Sequence, residues 1–337
     1  MTRSSLSASY DVRRLRSSSS RSDNVPWAYS EPVICEGVLS RQQIYLTPAY
    51  FIQAFGHEEV DLTDCESGES KAGMLEDILK LFDSPQDTHD PVWKVKVCSS
   101  LLCLMKLKHN YIYYQDWPSQ ATFKGGIFAD IYEEFEDYLP FPQLTRLNGH
   151  NNLAAYFPDN AGLPPDLGND TTSISCSMAK CSDVGLGPKV YFALATKQDD
   201  DHHGSTRLHC DLTDAINVCV FAAQQNDSSP GGARWDIFSP HDTTRLRDVL
   251  RVHSDQEDPI LAQSMYLGPN ALRKLELRHN IKACTFIQHE GDAVLIPAGC
   301  AHQVSCSSIC VAVALDNNTK GQQCHKYHQD CLRLCFL

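Results

Sequence analysis

Two stretches, STRLHCD at Ser205–Asp211 and PAGCAHQV at Pro297–Val304, constrain this chain more than any other feature. His209 and Asp211 stand two apart where a strand reads as running into its loop, and His302 lies on a separate β-rich run far downstream. Two imidazoles and one carboxylate form the ligand set of a facial triad, which holds a divalent ion and leaves adjacent coordination positions open. To act together, two strand ends remote in sequence must meet, so the fold has to pair strands across long connections. A bare His-x-Asp arises often by chance, and the alternative is a set of packed or surface histidines. The Gly and Pro punctuation of GDAVLIPAGCA ahead of His302 favours the strand-end arrangement. Fe(II) suits this donor set better than zinc where open positions are needed, although Mn and Co meet the same geometry.

The segments PKVYFALAT, AINVCVFAA, RWDIFSP, CTFIQHEGDAVLIPAG and ICVAVALD are short β-rich runs between turns, the texture of a sandwich or jelly roll in a mainly β fold. Two helical patterns interrupt them: TTRLRDVLRVH, with Asp242 as the expected N-cap, and ALRKLELRHN after Asn270. Upstream, Glu31–Val38 and EVDLTDC read as strands. Thr47-Pro48 opens a capped helix, a second helix starts at Met74, and a third places Ile127, Ile131, Phe135 and Tyr138 on one face before Pro140. Residues 1–26, rich in Ser and Arg, read as a flexible arm. Residues 27–337 read as a single domain, with a mixed α/β part over 27–187, a jelly-roll core with a helical insertion over 188–316 and a helical segment over 317–337.

Composition narrows the function classes. A formal charge of −13 argues against a broad basic face for nucleic acid and suits a basic peptide partner better, so direct DNA binding is not expected without an additional module. Fifteen cysteines, no CxxC pair and no apolar N-terminal segment favour reduced thiols over a disulfide framework. No apolar run approaches the length of a bilayer span, so no membrane partner is expected. Near the end of the chain, Cys324, His328, Cys331 and Cys335 are conceivable zinc ligands, the alternative being one face of an amphipathic helix.

The blocks STRLHCDLTDAINVCVF, ARWDIFSPHDTTRLRDVL and FIQHEGDAVLIPAGCAHQV resemble the JmjC (jumonji) domain, in the branch of histone lysine demethylases related to the hairless protein. FGHEEVDLTDC, DWPS, YFP and PDLG extend the resemblance over most of residues 32–335. It implies a double-stranded β-helix, a cupin-like jelly roll with surrounding and inserted α-helices. The implied activity uses Fe(II), 2-oxoglutarate and O2 to hydroxylate an N-methyl group of lysine, which then leaves as formaldehyde. The implied partner is the histone H3 tail, with lysine nine as target, or another basic methyl-lysine peptide, within chromatin or transcription complexes of the nucleus. Matched residue by residue, His209, Asp211 and His302 fall on the iron ligands, Thr206 on a hydroxyl that binds 2-oxoglutarate, and Asn217 on an amide near it. The plainer readings of Thr206 and Asn217 are a turn hydroxyl and a strand-edge polar group. Trp235 reads as core.

The chain departs from that pattern in places. A dianionic co-substrate in an enclosed slot needs a cation at its far carboxylate, because an unpaired buried charge is costly. The lysine expected ten residues after His302 is Ala312, and the other lysine position, two before Trp235, is Ala233. Arg207 and Arg234 are the nearest substitutes. The alternative function is therefore a catalytically impaired pseudoenzyme acting as a chromatin-associated interaction module. Segments 97–115 and 169–187 also interrupt the pattern and read as lineage-specific loops or translated intron sequence.

Overall fold

The computed structural model describes residues 12–16, 31–40, 44–64, 69–80, 93–97, 129–146, 148–150, 152, 189–196, 204–211, 213–225 and 228–317. The strands among them are β1 (Arg13–Arg16), β2 (Val33–Glu36), β3 (Glu59–Asp64), β4 (Ser70–Met74), β5 (Trp93–Val97), β6 (Lys189–Ala193), β7 (Thr206–Cys210), β8 (Asp214–Ala222), β9 (Ala233–Ile237), β10 (Cys284–Gln288), β11 (Ala293–Ile296), β12 (Ala301–Cys306) and β13 (Cys310–Asn317). The helices are α1 (Pro48–Phe55), α2 (Leu75–Lys80), α3 (Ala129–Tyr138), α4 (Pro142–Thr145), α5 (Pro240–Arg251) and α6 (Pro269–His279). The sequence-predicted strands from PKVYFALAT to ICVAVALD are all present.

One sheet runs β1-β2-β11-β8-β13-β6 and a second runs β10-β9-β12-β7, while β4-β3-β5 forms a third, smaller sheet. Ile34, Ala215, Val294 and Cys310 of the first sheet pack with Trp235, Ile237, Phe286, Val304 and Cys306 of the second in one buried cluster. Strands β11-β8-β13-β6 and β10-β9-β12-β7 thus enclose a common interior, the double-stranded β-helix. Among the described residues two further cores lie outside it. Ile216, Val218 and Val220 turn outward to pack with Phe51, Phe55, Leu75 and Phe135 of the N-terminal helices, and Leu208, Phe238 and Ala301 pack with Leu246, Leu250 and Leu275 of α5 and α6. A strand covered on both faces needs apolar side chains at successive positions. That is why β8, DAINVCVFA, is buried without interruption over its first seven residues.

Local chemistry sets the helix ends. Thr47 caps α1, its hydroxyl accepting from the Tyr50 N–H at 3.2 Å ahead of Pro48. The cap of α5 is Ser239 rather than Asp242: the Ser239 hydroxyl accepts from the Asp242 N–H at 3.0 Å, and Pro240 takes the first helical position. Asp242 instead sits in the first turn, paired with Arg245 at 2.8 Å. In α6, Gly268 and Pro269 precede Asn270, so that residue lies inside the helix, and Asn280 ends it in the left-handed region at φ 50°. In both cases a proline that fits the first turn moves the start upstream of the residue expected to precede the helix.

The arm expected over 1–26 is corrected at one place. Arg13–Arg16 is an edge strand, parallel to β2 with Arg14 opposite Ile34, and Arg13 and Arg14 pair with Glu31 and Glu36 at 3.1 and 3.0 Å. Apart from Val12 the rest of that arm lies outside the described residues, as do the Cys324–Cys335 cluster and the inserted segments other than Val97. Among the described residues no helix is long and apolar enough to cross a membrane.

Candidate metal centre

The interior opens at the end where β7 leaves the barrel and β12 enters it. These strands pair antiparallel, with His302 opposite His209 and Ala301 opposite Cys210. Asp211 follows at once, and the three side chains converge with their ligand atoms within 4.8 Å of one another. Asp211 Oδ1 is 3.8 Å from His209 Nε2, and Oδ2 is 3.6 Å from His302 Nε2. The burial is graded, with side-chain exposures of 4% for His302, 17% for His209 and 33% for Asp211. One side of the centre therefore faces the barrel and the other its mouth.

Both imidazoles are oriented from behind. Nδ1 of His209 lies 2.9 Å from the Arg207 carbonyl, and Nδ1 of His302 lies 3.0 Å from the Cys300 carbonyl. A carbonyl only accepts, so each Nδ1 donates to it and Nε2 is the ring atom left facing Asp211. Trp235 stacks over His302 with centroids 5.9 Å apart. The loop before β12 is tied down as well. The Gly299 N–H donates to the Asp211 carbonyl at 3.2 Å, with Gly299 at φ +78°, where a side chain would be strained. The Ala298 N–H donates to the buried Asp214 carboxylate at 2.7 Å, and the Ala301 N–H to the Thr243 hydroxyl of α5 at 2.8 Å. The chain thus binds the entry of β12 to both Asp211 and the helical insertion.

The donor set fits a divalent ion. Two imidazoles that turn Nε2 to a shared point and one carboxylate leave room for further ligands, which is the 2-His-1-carboxylate pattern associated with non-haem Fe(II).

The family model described as "JmjC domain, hydroxylase" matches residues 218–316, the stretch that carries His302. The chain carries a JmjC domain. Along 86% of its length it is similar to lysine-specific demethylase 3A of Rattus norvegicus, at 28% identity over 329 residues and 24% of that protein. It is 29% identical over 330 residues to lysine-specific demethylase 3A-B of Xenopus laevis, and 26% identical over 329 residues to the probable JmjC domain-containing histone demethylation protein 2C of Homo sapiens. The chain spans 24% or less of the length of these relatives.

The JmjC interior receives some of the expected co-substrate residues and not others. Thr206 lies opposite Val304, an interior residue, because the β7–β12 register shifts between His302 and Val304. Paired residues share a face, so the bulge lets both Thr206 and His209 face inward although they are three apart. Asn217 is buried on the inner side of β8 between Val294 and Ala314, and its Oδ1 accepts from Gln288 Nε2 at 3.2 Å. Gln288 in turn accepts from Trp235 Nε1 at 2.9 Å, so Trp235 is core, as expected, and also a polar link.

Arg234 is corrected. On β9, Ala233 and Trp235 belong to the interior, so Arg234 stands on the outer face, across from Ser305 and Ile287. There it pairs with the buried Asp236 at 3.3 Å and lines a cavity of about 330 Å³ that none of the three candidate ligands borders. Period-2 alternation is the reason: the neighbour of an interior tryptophan must point the other way. Sequence reading missed Asp214, Thr243 and Gln288. Gln288 had a signal, since an amide in step with Cys284 and Phe286 on an apolar strand face needs a buried partner.

Proposed function

We propose that the chain is an Fe(II)- and 2-oxoglutarate-dependent dioxygenase that demethylates lysine in the histone H3 tail, with lysine nine as target, in nuclear chromatin. The observation that carries this reading is the pair of histidines with Nδ1 held by backbone carbonyls and Nε2 turned to Asp211. The names of the similar proteins, lysine-specific demethylase 3A and histone demethylation protein 2C, support the substrate class. His209, Asp211 and His302 would hold the iron, which when bound supplies, with 2-oxoglutarate and O2, the oxidant that hydroxylates an N-methyl group.

The chain's own residues supply position and exclusion of water. Trp235 stacked on His302 and the ties from Asp214 and Thr243 hold the deeper ligand rigid, and a fixed first shell preserves reacting geometry. Thr206 and Asn217 offer a hydroxyl and an amide on the inner face for the co-substrate's oxygens. The net charge of −13 favours a basic tail and speeds its encounter. Hydroxylation of the methyl carbon gives a hemiaminal that expels formaldehyde, while 2-oxoglutarate leaves as succinate and CO2.

Mass spectrometry of a methylated H3 lysine-nine peptide incubated with the protein, Fe(II) and 2-oxoglutarate tests the reading. Loss of methyl groups that requires both additions and disappears in His209→Ala supports it. A peptide left intact by a protein that retains iron would favour the second reading, a pseudoenzyme serving as an interaction module. Ala312, where no side chain can meet the far carboxylate, is the observation behind that alternative.

A further inference from the structure

This inference rests on the co-substrate reading above and concerns the cation that Ala312 cannot provide. Ala312 lies on the inner side of β13, opposite Cys219 of β8 and Tyr191 of β6, so the barrel wall at that level is uncharged. A diacid whose near end chelates the metal carries its second carboxylate into this wall, and a buried carboxylate without a cation is strongly disfavoured.

The register of β6 brings a cation to the place. Val190 and Phe192 are buried in the outer core, 1% and 4% exposed, while Ala193 packs on the interior cluster opposite Cys310. Alternation therefore turns Lys189, Tyr191 and Ala193 inward. Tyr191 stands opposite Ala312 and Lys189 opposite Ala314, which makes Lys189 the diagonal neighbour of Ala312 on the adjacent strand. Diagonal pairs lie within reach of long side chains, and a lysine has a flexible four-carbon stem. Of the inward positions that the ladders and the interior cluster define on the eight barrel strands, Lys189 is the lysine or arginine among the described residues. Arg234 is on the outer face with Asp236, and Arg207 lies in the β7 bulge.

We propose that Lys189 binds the far carboxylate of a 2-oxo diacid co-substrate and so replaces a cation at position 312. The site then selects diacids through β6 rather than through β13. It also keeps its charge at the level of Asn217, nearer the mouth than Ala312, since Ala314 pairs with both Lys189 and Asn217.

The test uses the full chain loaded with Fe(II) without oxygen, titrated with 2-oxo acids and followed by the visible charge-transfer absorbance of the chelate. Lys189→Met should weaken 2-oxoglutarate binding at least tenfold while leaving 2-oxo-4-methylpentanoate, which lacks the second carboxylate, unchanged. Adding Ala312→Lys to that variant should restore 2-oxoglutarate binding, and Lys189→Gln is read in parallel so that poor folding of one variant does not decide the matter. Undiminished 2-oxoglutarate binding in both Lys189 variants, or a loss in Arg207→Ala instead, overturns the assignment and leaves the co-substrate reading intact. Iron-loaded wild-type protein that gives no band with 2-oxoglutarate overturns both.

Discussion

His302 faces His209 directly across the β7–β12 ladder, ring centroids 4.2 Å apart, and just beyond them the ladder slips so that Val304 faces Thr206. The slip places a hydroxyl and a candidate metal-ligating imidazole on one inner face at a spacing that a regular strand would put on opposite faces. Metal affinity therefore depends on the triad as a unit. His209→Ala and His302→Ala should each lower Fe(II) affinity by more than about 100-fold, beyond the usual effect of removing an outer partner. Equilibrium dialysis with metal analysis checks this, and near-wild-type iron in either variant contradicts it.

Much of this centre was legible in the sequence, and the reason is physical. HxD and the distant His are ligand types that a metal demands, and period-2 apolar runs mark strands whatever their partners are. The outward direction of Arg234 follows from alternation once Trp235 reads as core, but its place across from Ser305 and Ile287 and its pairing with the buried Asp236 are set only by the neighbouring strands. Nor was the bulge legible, which exists only in the pairing of Thr206 with Val304. The helix starts were misplaced because Asp242 and Asn270 are good capping residues, while Pro240 and Pro269 had already claimed the first turn.

That cap can be tested by itself. Ser239→Ala should destabilise the protein by about 1 kcal/mol, since the Asp242 N–H loses its acceptor. Asp242→Ala removes a partly exposed pair with Arg245 and should cost less, on the order of 0.5 kcal/mol. Urea unfolding of the two variants distinguishes them, and the reverse order would return the cap to Asp242.

The buried amide of Gln288 joins three elements. It accepts from Trp235 Nε1 and donates to the backbone carbonyls of Asn217 and Asp292, both at 3.0 Å. Gln288→Leu would keep the bulk and leave these groups unpaired, at a cost of about 2–4 kcal/mol. Chemical denaturation measures it, and a change below about 0.5 kcal/mol would mean that the network contributes nothing.

Several interior thiols should be inert. Burial and the nearby Asp292 carboxylate push the Cys35 thiol up to about 12, and hydrogen bonding with Cys310 followed by burial holds the Cys306 thiol well above its ordinary range. Because these folded values exceed the ordinary thiol value of 9.0, the unfolded chain loses its protons first. Their contribution to stability is complete below about pH 9 and declines as pH rises beyond it. At pH 8, iodoacetamide should modify the half-buried Cys210 well before Cys35 or Cys306, as read by peptide mass spectrometry. Rapid labelling of Cys306 in the native protein would contradict the packing around β12.

The most direct test of the metal centre as a demethylating oxygenase is to measure succinate and formaldehyde together, with a methylated H3 lysine-nine peptide, Fe(II) and 2-oxoglutarate. Formation of the two in equal amounts by the wild-type protein, and of neither by Asp211→Ala, is the expected result. A wild-type protein that holds iron and yet releases no succinate with or without peptide would contradict it.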